Sequence, residues 1–263
     1  MGTRRSNLKK NAENVYIDVV IPVYGALHHL KRALDSLVDQ PAQVYVIDDR
    51  GPEDAEVLCR DYANVIYYRN KKNLGFAEAC NTGARMCQSP YILFMNSDVE
   101  AFPGSMETFV TEFAERSVGI VGGLLVFPLD HPDPRARGMV QHAGMVWNLD
   151  KIPYHRFITW HPTHPRVQQR QQVQTVTGAW LAIRRQLFFS VGGFRKEYGR
   201  GTYEDTDLCM SVQEKGYKVM YSPYPVGFHY ANGSNQPFDL GLNQQIFLQR
   251  HGPNVVWDEW MIL

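Results

Sequence analysis

The chain carries no excess charge of either sign: 27 Lys and Arg balance 27 Asp and Glu. Such a composition exerts no general electrostatic pull toward nucleic acid or an anionic membrane. Cysteine is scarce, and Cys59, Cys80, Cys87 and Cys209 show no CxxC spacing. A disulfide framework is not expected at this size, and reduced thiols in a cytosolic protein are the simplest reading. No apolar run approaches the ~20 residues that span a bilayer. The basic, polar start MGTRRSNLKKNAEN lacks the apolar stretch of a secretory signal, so residues 1–15 read as a flexible lead-in or a boundary inside a longer protein. No internal repeat is visible. What is present is ordinary for a globular chain: 263 residues, 44% apolar and 21% charged, enough for one large α/β domain or two small ones.

The pattern is organised around Tyr91 to Asp98, YILFMNSD. Its apolar run does not alternate, so it reads as a strand buried on both faces, as in a helix-covered parallel sheet. Ile17 to Ile21 is a second such run, ending at Pro22-Val23-Tyr24-Gly25. Leu27, Leu30, Leu34 and Leu37 then mark one face of a helix. Val44 to Ile47 stops at Asp48-Asp49, Pro52 opens a helix to about Tyr62, and Val65 to Tyr68 is a third strand. Strand, helix, strand, helix, strand is the mark of a doubly wound parallel sheet. Asn73-Leu74-Gly75 leads into a helix through Cys87; Pro103 fits the first turn of another; and Gly119 to Phe127 is strand-like.

From Pro128 to about Gln172, Pro, His, Arg and Gln crowd together without a period. This predicts a surface loop with one or two short strands near Met139 to Trp147. Order returns with a strand-like run at Val173 to Ile183, a short helix from Arg184, and a helix entered through Tyr203-Glu204-Asp205-Thr206-Asp207 and ended by Gly216. A short strand at Val219 to Tyr221, a polar turn at Ala231 to Ser234 and a helix at Leu242 to Arg250 complete the chain. Residues 16–127 and 128–263 form two halves of one domain.

In an open α/β sheet, ligands bind at the carboxyl ends of the strands. Two acid clusters fall there: Asp48-Asp49 and Asn96-Ser97-Asp98. Each reads either as helix caps and Asx turns or as ligand-binding groups, and Asp98 with Asn96 could hold a divalent cation that bridges a diphosphate. Glu204-Asp205-x-Asp207 reads either as acids favoured by a helix N-terminus or as a general base. The dipole lowers a carboxylate's pKa, and burial raises it. His229 reads equally as a packed residue or a ligand. Trp180 is a core aromatic or a platform for a sugar ring. His161-x-x-His164, with two Pro neighbours and no cysteine partner, reads as surface loop rather than zinc site.

The ordered set VVIPVYGALHHLKRALDSL, VYVIDDRGP, NKKNLGFAEACNTGARM, YILFMNSDV, TGAWLAIRR, VGGFRKEYGRGTYEDTDLCMSVQEKGYKV and FHYANGS resembles inverting glycosyltransferases of family 2, over roughly residues 16 to 235. The nearest likeness is to the rhamnosyl- and galactofuranosyl-transferase-like branch that builds surface polysaccharides. The resemblance implies an α/β glycosyltransferase-A fold with a mostly parallel, Rossmann-like central sheet and an acceptor-side subregion. It implies that Pro22, Val23 and Tyr24 line a nucleoside pocket, that Asp49 faces base or ribose, and that Asn73 and Gly75 sit beside the nucleotide with Asn96 and Ser97. Asp98 would hold Mn²⁺ or Mg²⁺ with His229, and Asp205, next to Glu204, would be the catalytic base. Many relatives carry Asp where this chain has Asn96, which leaves the metal grip mainly to Asp98.

The implied partners are a UDP- or dTDP-sugar donor and a glycan or lipid-linked acceptor, with Trp180 as an acceptor contact and residues 128–172 as a lid. The implied location is the cytoplasm, at the inner face of the membrane. A sugar-1-phosphate nucleotidyltransferase would want a Gly-rich, basic loop after the first strand, and Pro22-Val23-Tyr24-Gly25 is not one. A non-catalytic sugar-binding module on the same fold is the third reading.

Overall fold

The computed structural model of the chain describes residues 17–199, 201–231 and 240–258. The lead-in at 1–15 and the turn residues Asn232 to Ser234 lie outside the described residues. Strand β1 (Ile17–Val23) is buried except at Pro22. It pairs in parallel with β2 (Ala42–Asp48) and β4 (Tyr91–Met95), and β2 pairs in parallel with β3 (Val65–Arg69). Helix α1 (Leu27–Asp35) buries His29, Leu30, Ala33 and Leu34. Helix α2 (Glu56–Cys59) covers less than the Pro52 to Tyr62 stretch expected. Helix α3 (Phe76–Met86) packs on β1 and β2 through Ala77, Cys80, Gly83 and Ala84. Gly83 lies so close to Val20 that no Cβ fits without displacing it. The chain then adds β5 (Val99–Ala101), α4 (Ser105–Glu112) and β6 (Val118–Val126). Pro103 stands ahead of α4 rather than in it, because Gly104 takes a left-handed conformation at the cap.

The sheet is not the uniformly parallel one that the first 70 residues imply. Strand β11 (Trp180–Arg184) runs antiparallel between β4 and β6, with Trp180 opposite Met95 and Leu181 opposite Gly122. Strand direction leaves no trace in a run buried on both faces, since WLAIR would look the same either way round. Of the Val173 to Ile183 run, only Trp180 to Ile183 lie in the strand. Strand β12 (Lys218–His229) is parallel to β6 and extends well beyond the short strand expected at Val219 to Tyr221. Its register shifts between Tyr221 and Val226, around Pro223 and Pro225. Proline removes ladder donors and breaks the apolar pattern there. The full order is β10 (Gln171–Gln172), β12, β6, β11, β4, β1, β2, β3, with β5 on β12 and β7 (Val140–His142) on β6.

Residues 128–172 are not simply surface loop. They contribute β7, β10 and a separate hairpin of β8 (Met145–Trp147) and β9 (Pro153–His155), and they bury Val146, Trp147 and Arg156 completely. Each strand is two or three residues long, too short for periodicity to register. The core lies on both faces of the main sheet. Val20, Ile47, Phe94, Phe188 and Phe194 pack on one side, and Val19, Val46, Met95, Phe109 and Trp180 on the other. Helices α5 (Arg185–Ser190), α6 (Glu204–Glu214) and α7 (Leu240–His251) complete the architecture. Trp147 stacks on Phe247 of α7, with ring centroids 5.1 Å apart.

Candidate active site

The carboxyl ends of β1, β2 and β4 and the start of β11 meet at one edge. Asp49 N–H donates to Val23 O at 2.9 Å, joining the ends of β2 and β1. The buried Asp49 carboxylate accepts from Asn70 Nδ2 at 2.8 Å, Leu74 N at 2.9 Å and Gly75 N at 2.8 Å. Burial raises its pKa against the pull of those donors. Asn73 adds an Asx turn by accepting Gly75 N at 3.0 Å. Gly75 sits at φ 85° and ψ 166°, a region that only glycine occupies without strain. Asp49 therefore shapes the loop at 70–75, with both of its oxygens engaged. Asp48 braces the preceding turn, accepting Gly51 N at 3.1 Å and the Tyr67 hydroxyl at 2.8 Å. Tyr24 is the exposed member of Pro22, Val23 and Tyr24, at 37% of its surface.

Two hydrogen bonds tie the remaining acids together. Asn96 N donates to Ala179 O at 3.0 Å, where β4 ends beside β11. One residue back, Gly178 N donates to Asp205 Oδ2 at 2.8 Å. A Cβ at Gly178 would sit 3.2 Å from the Asp205 Cβ, so a larger residue there would press on the Asp205 side chain. Asp205 Oδ1 accepts Thr206 N at 2.7 Å. Asp98, two residues after Asn96, is buried; its Oδ1 lies 3.3 Å from His229 Nε2 and its Oδ2 has no partner. The main chain joins this pair as well: Val99 pairs with His229 across β5 and β12, and Tyr230 N donates to Asp98 O at 3.0 Å. So residues separated by more than a hundred positions share one strand edge.

Electrostatics separate the acids. Burial raises the pKa of Asp205, opposed by the Gly178 and Thr206 amides. Glu204 is buried with Oε2 unpartnered, and both burial and the Asp205 charge raise its pKa. Two adjacent carboxyls in a low-dielectric site do not ionise independently. The more strongly buried Glu204 keeps the proton, and the charge rests on Asp205. Asp207 belongs elsewhere: it accepts from the Tyr198 hydroxyl, Arg250 and His251 and anchors α6 to α7. For Asp98, burial would raise the pKa, while the His229 side chain beside it outweighs burial and brings it below the ordinary value.

The donor set at Asp98 suits a divalent cation. It offers an unpartnered carboxylate oxygen and an imidazole nitrogen facing the other oxygen, and nitrogen donors favour Mn²⁺ over Mg²⁺. Among the described residues, no group of three or more His, Cys, Asp or Glu could hold a metal ion. A cation here would take the rest of its shell from a ligand and water.

Residues 18–189 match the sequence profile of glycosyl transferase family 2. The chain belongs to that family. It is 26% identical over 215 residues to the pre-mycofactocin glycosyltransferase of Mycobacterium tuberculosis, covering 81% of this chain and 42% of that protein. It is 27% identical over 159 residues to the minor teichoic acid biosynthesis protein GgaB of Bacillus subtilis, covering 56% of this chain and 18% of that one. The chain thus spans less than half the length of these curated relatives. A crystal structure of GalNAc-T7 with UDP, GalNAc and Mn²⁺ superposes with a TM-score of 0.69 at 16% identity, over 90% of this chain and 48% of that one. The mannosyltransferase PcManGT from Pyrobaculum calidifontis, in complex with GDP-Man and Mn²⁺, superposes at 0.58 and 17% identity, over 84% of this chain and 58% of that one. The fold is the glycosyltransferase-A fold, an α/β architecture with a mostly parallel central sheet.

Within this family frame one expected contact is corrected. Trp180 is fully buried, donates Nε1–H to Pro225 O at 3.2 Å and meets Phe109 edge-on with centroids 5.0 Å apart. It cannot stack an acceptor sugar, because inward is the only direction open to a side chain pinned by that bond. His161 bonds within its own turn to Thr163, at 2.7 Å. Two contributors escaped the sequence reading. Gly178 sat inside the TGAW segment, where a glycine before a buried strand was its signal. Gln141 lies in the aperiodic stretch and gave none; it contacts His229 at 2.6 Å.

Proposed function

We propose that this family 2 chain catalyses inverting transfer of a sugar from a nucleoside-diphosphate donor to an acceptor hydroxyl. The observation that carries the reading is the shared edge: Asp205 and the Asp98–His229 pair are linked through Gly178, Ala179 and Asn96. Pro22, Val23 and Tyr24 line the nucleoside side, with Asn73 and Gly75 on the loop that Asp49 holds. Asn96 and Ser97 border the diphosphate. Asp98 and His229 would hold Mn²⁺ or Mg²⁺, which when bound neutralises charge on the departing diphosphate as a Lewis acid.

Asp205 accepts the proton of the attacking hydroxyl. The acceptor oxygen forms its bond to the anomeric carbon as the bond from that carbon to the diphosphate oxygen breaks, and the electron pair leaves with the diphosphate. One displacement inverts the centre, so no second carboxyl of a glycosidase pair is required. Glu204, by keeping its proton, spares Asp205 a second negative neighbour. The Gly178 and Thr206 amides aim the Asp205 carboxylate and limit how far burial raises its pKa.

The donor class is a UDP- or dTDP-sugar of the rhamnosyl or galactofuranosyl type, and the acceptor is a glycan or lipid-linked intermediate in surface polysaccharide synthesis, reached by peripheral association at the cytoplasmic face of a membrane. In support, curated relatives are named for teichoic acid and O-antigen biosynthesis, and no helix among the described residues is long and apolar enough to cross a membrane. Residues 16–127 form the donor half and 128–263 the acceptor and catalytic half. The test is Asp205→Asn in a sugar-transfer assay with Mn²⁺, after a thermal-shift panel of nucleoside diphosphates has identified the donor. Turnover near that of the unaltered protein would remove the base assignment. A protein that binds nucleotide-sugars yet neither transfers nor hydrolyses them would be a binding module.

A further inference from the structure

We infer that Gln141 is a positioning residue that sets the tautomer of His229 and points its Nε2 lone pair at the cation site; the inference rests on the metal-dependent reading above. Gln141 is buried on β7 and makes two contacts with one residue across the sheet. Its Nε2 donates to the His229 backbone carbonyl at 3.2 Å, and its Oε1 lies 2.6 Å from His229 Nδ1.

The first contact decides the second. A backbone carbonyl can only accept, so the amide nitrogen of Gln141 must face it. The amide oxygen then faces Nδ1, and an oxygen without a proton requires a donor opposite. Nδ1 therefore carries the hydrogen. In the neutral ring this leaves Nε2 with its lone pair, 3.3 Å from Asp98 Oδ1. Two lone-pair atoms face each other there, beside an Asp98 Oδ2 that has no partner. A cation or a proton between them resolves the repulsion. Asn96 Nδ2, 3.5 Å from Nε2, is too distant to do so strongly. Metal-bound histidines take their orientation from such an outer partner on the second ring nitrogen, and losing it typically weakens metal binding about 10–100-fold.

This role also gives β7 a purpose. The strand is three residues long and pairs with the end of β6, with Leu125 opposite His142 and Val126 opposite Val140. That pairing places Gln141 against the last residue of β12. The stretch read from sequence as an acceptor lid thus also sends one side chain beneath the cation site.

The test measures Mn²⁺ affinity by the electron paramagnetic resonance signal of free Mn²⁺, with UDP present, on the full chain. Gln141→Leu should weaken binding 10-fold or more. Gln141→Glu keeps an oxygen facing Nδ1 and should stay within about threefold of the unaltered protein. Asp98→Asn is the control, because loss of Mn²⁺ binding there reports on the metal site itself. If Asp98→Asn binds Mn²⁺ normally, the metal reading falls and this one with it. If Asp98→Asn loses binding while Gln141→Leu does not, only the role of Gln141 is overturned. Should Gln141→Leu fail to fold, ¹⁵N spectra of the unaltered protein at pH 8 decide: with His229 assigned by comparison with His229→Gln, the ring must carry its proton on Nδ1, and a proton on Nε2 overturns the inference.

Discussion

Asp207→Asn should unfold the protein more easily without touching the chemistry. Asp207 is the third acid of the 204–207 cluster, is 2% exposed, and accepts at Oδ2 from Arg250 Nε at 2.7 Å, the Tyr198 hydroxyl at 2.8 Å and His251 Nε2 at 3.1 Å. Arg195 Nε is 3.5 Å from Oδ1. Asparagine keeps the shape and one acceptor oxygen but loses the charge. A hydrogen bond to a charged partner contributes roughly 1.5–3 kcal/mol against about 0.5–1.5 for a neutral one, so the change costs ~1 kcal/mol per donor. The Arg195 side chain is 37% exposed and adds little, and Arg250 at 31% counts at a discount. The sum is ~2–3 kcal/mol for asparagine; alanine, which strands the buried donors, costs ~3–5 kcal/mol.

Urea unfolding followed by circular dichroism at pH 7 reads these values directly. The pH dependence has a definite sign. Burial raises the Asp207 pKa, but its hydrogen bonds from His251 and Tyr198 outweigh that, so the folded value lies below the ordinary one. The stabilisation is therefore complete above the unfolded pKa, roughly 3.9, and is lost as pH falls through the folded pKa. The gap between the unaltered protein and Asp207→Asn should close on acidification. Full stability combined with lost transfer would refute the reasoning and place Asp207 among the reacting groups.

Three further outcomes follow from the same geometry. Because burial raises the Asp205 pKa, the acid limb of kcat/KM should fall at a pH above the ordinary aspartate value of about 3.9; a limb at or below that value would count against Asp205 as base. Gly75→Ala places a Cβ on a backbone at φ 85° and should cost ~1–3 kcal/mol, with weakened UDP binding in the thermal-shift panel; unchanged affinity and melting temperature would contradict it. Trp180→Ala should destabilise by ~3–5 kcal/mol, while Trp180→Phe leaves the acceptor KM unchanged; a selective rise in that KM would restore Trp180 to the acceptor site.

The legible part of the site was the part written in local chemistry. Asp49, Asn96 and Asp98 stand just past runs of buried apolar residues, and a short unbroken run predicts both a strand and the location of its end. The spacing of the acids at 204–207 does not tell them apart, and only the family resemblance singled out Asp205, because each differs only in what packs against it from elsewhere. Asp205 meets Gly178 across 27 positions, while Asp207 meets His251 across 44. Trp180 looked equally suited to a core or a sugar, and the acceptor oxygen of Pro225, 45 residues on, decided for the core.

Local patterning alone was enough for the α/β class, the order of the first strands and helices, and the acids that follow them, since propensity, periodicity and turn residues act within a few positions of the chain. The tertiary structure alone chose the reversed direction of β11, the continuity of β12 through its prolines, and the different neighbours of Glu204, Asp205 and Asp207. It alone brought Gln141 to His229, 88 positions away. Those outcomes depend on which buried polar atoms become neighbours once the sheet closes, and a carboxylate or an imidazole acquires its charge, tautomer and purpose from those neighbours.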